Sequence, residues 1–230
     1  MTEREIRKYI DRLNSEKADE LIFTRPISKT VDVAKVWTEQ PKMTDNIVGN
    51  FRSFRFFFIR DDSGQYIGAV LDMYQDLHWY VVPKSRKRGH LTTALKESIL
   101  PYLFCDGRES QTITIEKDAI GEKNYLSSKG VAIKLGFEPR NEEETEFELK
   151  PTDLNWDNVN LEEDNVRISS ERFEILRKRV FYAYKMLCKI SDELLIKVDN
   201  DEGLREVADE VRNYTWRIDD IEWKSKRTKR

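Results

Sequence analysis

The chain has 230 residues, 39% of them hydrophobic and 11% aromatic, enough for one folded domain of ordinary size plus an appendage. Charged residues reach 36% but the formal net charge is only -3, so no dominant sign points to nucleic acid as a partner. Two cysteines, Cys105 and Cys188, lie far apart without metal-ligand spacing, which speaks for a reducing compartment rather than a disulfide framework.

Residues 1–17 are charged throughout and do not read as a signal peptide, and no apolar run approaches the roughly twenty residues of a membrane span. A cytoplasmic protein without a membrane segment is therefore expected. Thr2 to Glu20 has helix composition, with Ile6, Ile10 and Leu13 on one thin apolar stripe. Glu20 to Pro26 reads as a strand ended by proline. Between Lys29 and Asn50 the pattern is mixed, and short helices are predicted around Val33–Trp37 and Met43–Val48. Three strand-like runs follow: Phe54 to Arg60, Tyr66 to Tyr74, and Leu77 to Val82. Asp61-Asp62-Ser63-Gly64 between the first two is a hairpin turn signal, so an antiparallel meander is predicted.

The third run leads into Pro83-Lys84-Ser85-Arg86-Lys87-Arg88-Gly89-His90-Leu91-Thr92, a basic loop around one glycine that opens a helix over Leu91–Leu103. A helix start presents unpaired backbone N–H groups and the positive end of the helix dipole, an arrangement that favours phosphate. Arg86, Lys87 and Arg88 add full charges. A solvated basic turn is the plainer reading of the same residues. Further on come a strand at Thr112–Ile115 and a helix ending in Lys134-Leu135-Gly136-Phe137, where Gly136 fits a left-handed C-terminal stop.

Two motifs in this order resemble the GNAT N-acetyltransferase superfamily: Val81-Val82-Pro83-x-x-Arg86-x-x-Gly89-x-Leu91, and Ser128 to Glu138 with its Lys-Leu-Gly-Phe ending. The resemblance spans about residues 21–150. It implies a mixed α/β (α+β) fold with a mostly antiparallel sheet flanked by helices. It also implies acetyl-CoA as cofactor and transfer of an acetyl group to a primary amine on a small molecule or protein. In that family the strand before the loop pairs with the pantetheine arm through its backbone, which points here to Val81 with Val82 beside it. The pyrophosphate would rest on the amides of Lys87, Arg88, Gly89, His90 and Leu91, supported by the charges of Arg86 and Arg88, with Thr92 also at the cofactor. The chain departs from the family pattern at Leu91, where a small residue is usual, and at Ala132, where a tyrosine acid is usual.

Removing a proton from the acceptor amine needs a base, and His78 on the strand before the loop titrates near neutrality. Strand alternation puts His78 on the face of Tyr80 and Val82 unless a bulge intervenes, and a structural histidine is the competing reading. Asp72, Asp76 and Glu116 are weaker candidates of the same kind. Tyr125 could protonate the leaving thiolate or simply pack in the core. Asn124, with Ser127 nearby, could touch the cofactor or cap its helix.

Phe147–Lys150 is the last predicted strand, and residues 151–166 read as a linker. Beyond it, Phe173, Leu176, Val180, Ala183, Leu187, Ile190 and Leu194 recur at helical spacing, as do Leu204, Val207, Val211, Tyr214, Ile218 and Ile221. Residues 1–150 thus form an acetyltransferase-like domain, and residues 167–230 a helical hairpin ending in a basic tail, Lys224 to Arg230. The tail is either a solvated terminus or a nucleic-acid contact. The hairpin suggests a homo-oligomer, and an acyl-CoA-binding sensor or scaffold acting through it is the alternative to an enzyme.

Overall fold

In a computed structural model, residues 1–15, 20–47, 53–162 and 168–227 are described. The chain divides into two compact units, Met1–Asp164 and Asn165–Arg230. The described residues form a mixed α+β protein with no helix long and apolar enough to cross a membrane.

The first unit is organised by Phe56, Phe57 and Phe58, all wholly buried on β3 (Ser53–Arg60). Consecutive strand residues point to opposite faces, so three buried phenylalanines in a row require cover on both sides. β3 is central in a five-stranded antiparallel sheet of order β1 (Ile22–Pro26), β2 (Val31–Trp37), β3, β4 (Tyr66–Asp72), β5 (Leu77–Val81). On one face lies α1 (Glu3–Leu13), which buries Ile6, Tyr9 and Ile10 and sets the Tyr9 ring 5.7 Å from Phe56. Phe56 stacks in turn on Phe58 at 5.4 Å. On the other face, Phe57 meets the Tyr102 ring edge-on at 5.7 Å.

Tyr102 belongs to a continuous helical stretch made of α2 (His90–Ala94), a π segment (Leu95–Ile99) and α3 (Leu100–Cys105). Its irregularity has a local cause. Pro101 lacks an N–H, so the Glu97 carbonyl one turn earlier cannot receive an ordinary helical bond. That carbonyl accepts instead from the Asn160 N–H at 2.8 Å. Residues 151–162, read from sequence as part of a linker, thereby run over the first unit: Leu154 is buried, Trp156 lies 6.4 Å from Phe104, and Glu162 N–H donates to the Ile27 carbonyl.

A second, three-stranded sheet has the order β6 (Gln111–Thr114), β8 (Glu146–Leu149), β7 (Glu138–Pro139), all antiparallel. Before β7 come α4 (Lys117–Ile120) and α5 (Glu122–Lys134). Gly136 ends α5 at φ +90°, in the left-handed region.

Several expectations are corrected. Val33–Trp37 is part of β2, not a helix, because Val31-Asp32-Val33-Ala34-Lys35-Val36-Trp37 is paired on both sides, by β1 and β3. Residues 43–47 form turns with Met43 and Ile47 exposed, and Val48 lies outside the described residues. α1 stops at Leu13, well before Glu20, with residues 16–19 outside the described set. β4 stops at Asp72 because Tyr74 takes φ +73°, which no strand accommodates.

The second unit is a hairpin of α6 (Ser170–Val198) and α7 (Leu204–Arg227). Arg177 bonds Asp219 and Glu222 across it, and the Ser191 hydroxyl donates to Asp201 at the turn. Its seam is narrower than the sequence stripe: Ala208 and Ser191 are buried, whereas Ile190, Val207, Tyr214 and Ile221 stay largely exposed. Two helices can cover only one narrow strip of each other, so the flanks of a wide stripe are left out.

Two of the left-handed glycines, Gly136 and Gly89, differ in their surroundings. A Cβ on Gly136 would sit 3.2 Å from the Asp153 carbonyl oxygen, while one on Gly89 (φ +84°) would meet open space. Gly136→Ala is expected to cost about 2 kcal/mol and Gly89→Ala about 1 kcal/mol. Urea unfolding of both variants checks this, and equal losses would show that the overlying strap yields freely.

Candidate functional site

β5 is the edge strand of the large sheet, and its pairing with β4 is regular from Asp72↔Leu77 to Gly68↔Val81. Val82 N–H donates to the Ile67 carbonyl at 2.9 Å. Main-chain groups alternate in direction along an antiparallel strand, so the N–H and C=O of Val81, and of Trp79 before it, point away from β4. That free edge faces the second sheet. The two sheets touch at one end of β5 through a single parallel bridge, Asp76↔Thr112. Thr112 N–H donates to the Gln75 carbonyl at 3.0 Å. The Asp76 carboxylate then accepts the next available amide, that of Thr114, at 2.9 Å. A side chain thus takes the donor that a continued ladder would need, and Ile115 N–H turns to the Thr145 carbonyl on the β8 side. Beyond Asp76 the β5 edge has no strand partner among the described residues. Burial pushes the Asp76 carboxyl above its ordinary value, partly opposed by the bonds from Thr114 and Leu77.

At the far end of β5 the chain makes a 3-10 turn, Pro83–Ser85, then an exposed loop. Lys87 takes φ +62° and Gly89 φ +84°, and Gly89 is the N-cap of α2. Left-handed residues in such a turn aim successive amides into one concavity. The first helical bond here runs from Thr93 N–H to the Gly89 carbonyl. Among the described residues, no backbone or side-chain acceptor is found for the amides of Lys87, Arg88, Gly89, His90, Leu91 and Thr92. Lys87 and Arg88 are exposed beside them. Leu91 does not obstruct the loop, since its side chain packs against the core.

Arg86 is placed differently from the expectation. Its Nε donates to the Val81 carbonyl at 2.8 Å, its guanidinium lies 5.6 Å over the Tyr80 ring, and its Nη2 is 4.0 Å from a Glu3 carboxylate oxygen. It folds back over the strand and toward α1 rather than along the loop.

The remaining candidates do not converge on the loop. His78 pairs with Leu71 in an unshifted register, so no bulge re-aims it, and it shares with Tyr80 the α1 face of the sheet. Its Nε2 is buried without a hydrogen-bond partner among the described residues. Burial first, and then the N-terminal amine, hold the imidazole below its ordinary value, against the opposing charges of Glu3 and Asp76. Tyr125 is buried and donates its hydroxyl to the Glu144 carbonyl at 3.0 Å. Asn124 turns back to the preceding helix, its Nδ2 donating to the carbonyl of Ile120, the last residue of α4, at 2.9 Å. The Ser127 hydroxyl likewise turns back to the Lys123 carbonyl. Ala132 is wholly buried. Asp72 is bound into a buried network with Arg55 and Arg108, where it holds the loop between β4 and β5. A shallow surface depression lined by Leu13, Asn14, Ser15 and residues 63–66 shares no residue with the loop.

Sequence reasoning missed two features. The Asp76–Thr114 bond joins residues 38 apart in the chain, and the Glu3–Arg86 approach joins α1 to the loop; neither leaves a local pattern. No protein-family model, no curated protein and no solved structure matches this chain.

A half-buried His78 whose Nε2 is shielded from water has a definite pH signature. The unfolded chain takes up a proton near pH 6.5 that the folded chain resists, so stability falls as pH drops through that value. The urea midpoint of the wild type is expected to fall between pH 7.5 and pH 5.5 more steeply than that of His78→Leu (about one ordinary histidine titration in span). Parallel pH profiles for the two proteins would contradict this placement.

Proposed function

We propose that the chain is a GNAT-like N-acetyltransferase that binds acetyl-CoA along the free edge of β5 and at the loop 86–92. One observation carries this reading: a strand edge with outward-facing main-chain groups leads, through the 3-10 turn Pro83–Ser85, to six amides without a partner among the described residues, beside the exposed Lys87 and Arg88. A ligand with an amide-bearing arm and a pyrophosphate would satisfy both parts together. The arm would pair with the strand edge as an added strand, where main-chain bonds supply affinity. The pyrophosphate would lie on the amides at the positive end of the helical stretch. Beyond Asp76, β6 does not pair with the β5 edge among the described residues, so that edge would be available to the arm.

The chemistry follows from the cofactor. The nitrogen of a neutral primary amine attacks the thioester carbonyl carbon, an N–C bond forms, the C–S bond breaks, and the sulfur leaves as thiolate. The amine's surplus proton passes to a base or to water. N–H groups on the β5 edge would polarise the carbonyl oxygen as charge develops on it. His78 and Tyr125 remain the proposed base and acid. Tyr125 would have to exchange its bond to the Glu144 carbonyl for one to sulfur. A coenzyme A thiolate also leaves readily without a dedicated acid.

A second reading is favoured by three observations. The His78 Nε2 is sealed, the Tyr125 hydroxyl is engaged, and Ala132 stands where the family has its tyrosine. A protein that binds acyl-CoA without turnover, and signals through its hairpin, fits those three facts. In either reading the exposed Val207, Tyr214 and Ile221 support self-association of the hairpin, and two free cysteines support a cytoplasmic setting.

Calorimetric titration with acetyl-CoA should give binding in the micromolar range, weakened about tenfold by Gly89→Ala because the amides are re-aimed. Absence of binding at millimolar acetyl-CoA would overturn the cofactor reading. Thiol release in the presence of a panel of amines then separates the two readings: acceptor-dependent release marks the enzyme, and binding without release marks the sensor.

A further inference from the structure

We propose that Arg86 is a displaceable plug on the acceptor edge of β5, removed by the anionic end of the ligand that the edge then receives. The inference rests on the cofactor reading above and concerns how the two halves of that site are coupled. Val81 C=O points away from β4 and is the acceptor that a strand-like ligand arm would need on this edge. In the structure it is occupied by the chain itself, through the 2.8 Å bond from Arg86 Nε.

The contacts that hold Arg86 there are individually weak. One is a bond to a neutral carbonyl, one is a 5.6 Å approach to the Tyr80 ring, and one is a 4.0 Å approach to Glu3, with 40% of the Arg86 side chain exposed. Such contacts at an exposed site are each weak, because water competes for both partners. Hydrogen bonds from a guanidinium to a phosphate are roughly twice as strong as those to neutral acceptors, and they are often bidentate. Arg86 opens the same loop whose amides stand unpartnered from Lys87 onward. An anion seated on those amides competes for the guanidinium at short range, and a change of side-chain rotamer suffices to transfer it. Val81 C=O is then released to the amide of the ligand's arm.

The physical consequence is positive coupling between two subsites. An anion at the loop favours strand pairing at Val81, and by linkage strand pairing favours the anion equally. A ligand carrying only the arm meets a plugged edge. The Glu3 contact extends the device to α1, because release of Arg86 also frees that carboxylate.

Fragment titration on the whole chain tests this. Pantetheine supplies the arm without phosphate, and inorganic pyrophosphate supplies the anion without the arm. With wild-type protein, saturating pyrophosphate is expected to tighten pantetheine binding about fivefold or more. With Arg86→Ala, pantetheine alone is expected to bind about fivefold tighter than to wild type, and pyrophosphate should add nothing further. Arg86→Lys, which keeps the charge but loses the Nε donor, should resemble Arg86→Ala in the absence of pyrophosphate. Pantetheine affinity that ignores pyrophosphate in the wild type, or that does not rise in Arg86→Ala, overturns the plug. If intact coenzyme A still binds in that case, the cofactor reading survives the loss. If neither coenzyme A nor either fragment binds, both readings fall together.

Discussion

Everything in the first unit follows from the need to cover both faces of β3. Phe56, Phe57 and Phe58 are wholly buried, and their alternation sends one ring one way and two the other. α1 answers on one side through Tyr9 and Ile10, and the helical stretch 90–105 answers on the other through Tyr102. Because β5 is the edge of this sheet and leads directly into that second helical layer, the loop between them cannot wander. Its ends are fixed by a strand register on one side and by a packed helix on the other. A rigid frame of this sort can hold unpartnered amides in one place, whereas a free basic segment would satisfy them with water in many arrangements.

The edge itself is kept open by a side chain. Two parallel strands brought together at Asp76 and Thr112 would ordinarily continue to pair. The Asp76 carboxylate takes the Thr114 amide instead, and the next amide, that of Ile115, is taken on the β8 side. Each amide carries a single hydrogen, so once these donors are committed the ladder cannot extend. The same logic governs the opposite layer. Pro101 deprives the Glu97 carbonyl of its helical donor, and the chain at Asn160 supplies one, which lays residues 151–162 across the domain. Exchanged hydrogen bonds, rather than extra apolar contacts, thus set both the gap between the sheets and the course of the strap.

Local signals were enough for much of this. The meander β3–β4–β5, the Asp61–Gly64 turn, the loop at Gly89, the stop at Gly136 and the helical hairpin all come from residues close together in the chain, where backbone preference and periodicity act directly. Val33–Trp37 was not legible in that way. Its residues suit a helix as well as a strand, and the pairing with β1 and β3 that decides the matter involves partners up to 24 residues away. The hairpin seam was legible only in outline, because periodicity shows which residues are apolar and not which half of a wide stripe the partner helix reaches.

By itself, then, the sequence determined the α+β character, the position and charge of the loop, and the glycines that shape it, since these depend on local backbone physics. Only the tertiary structure decided that the β5 edge stays open, that Val81 presents its carbonyl there, and that Arg86 covers it. It also decided that His78 faces α1 and that the Tyr125 hydroxyl is spent on Glu144. Each of those outcomes is a competition for hydrogen-bond partners between segments distant in the chain, and such competitions are resolved only when the segments are packed together.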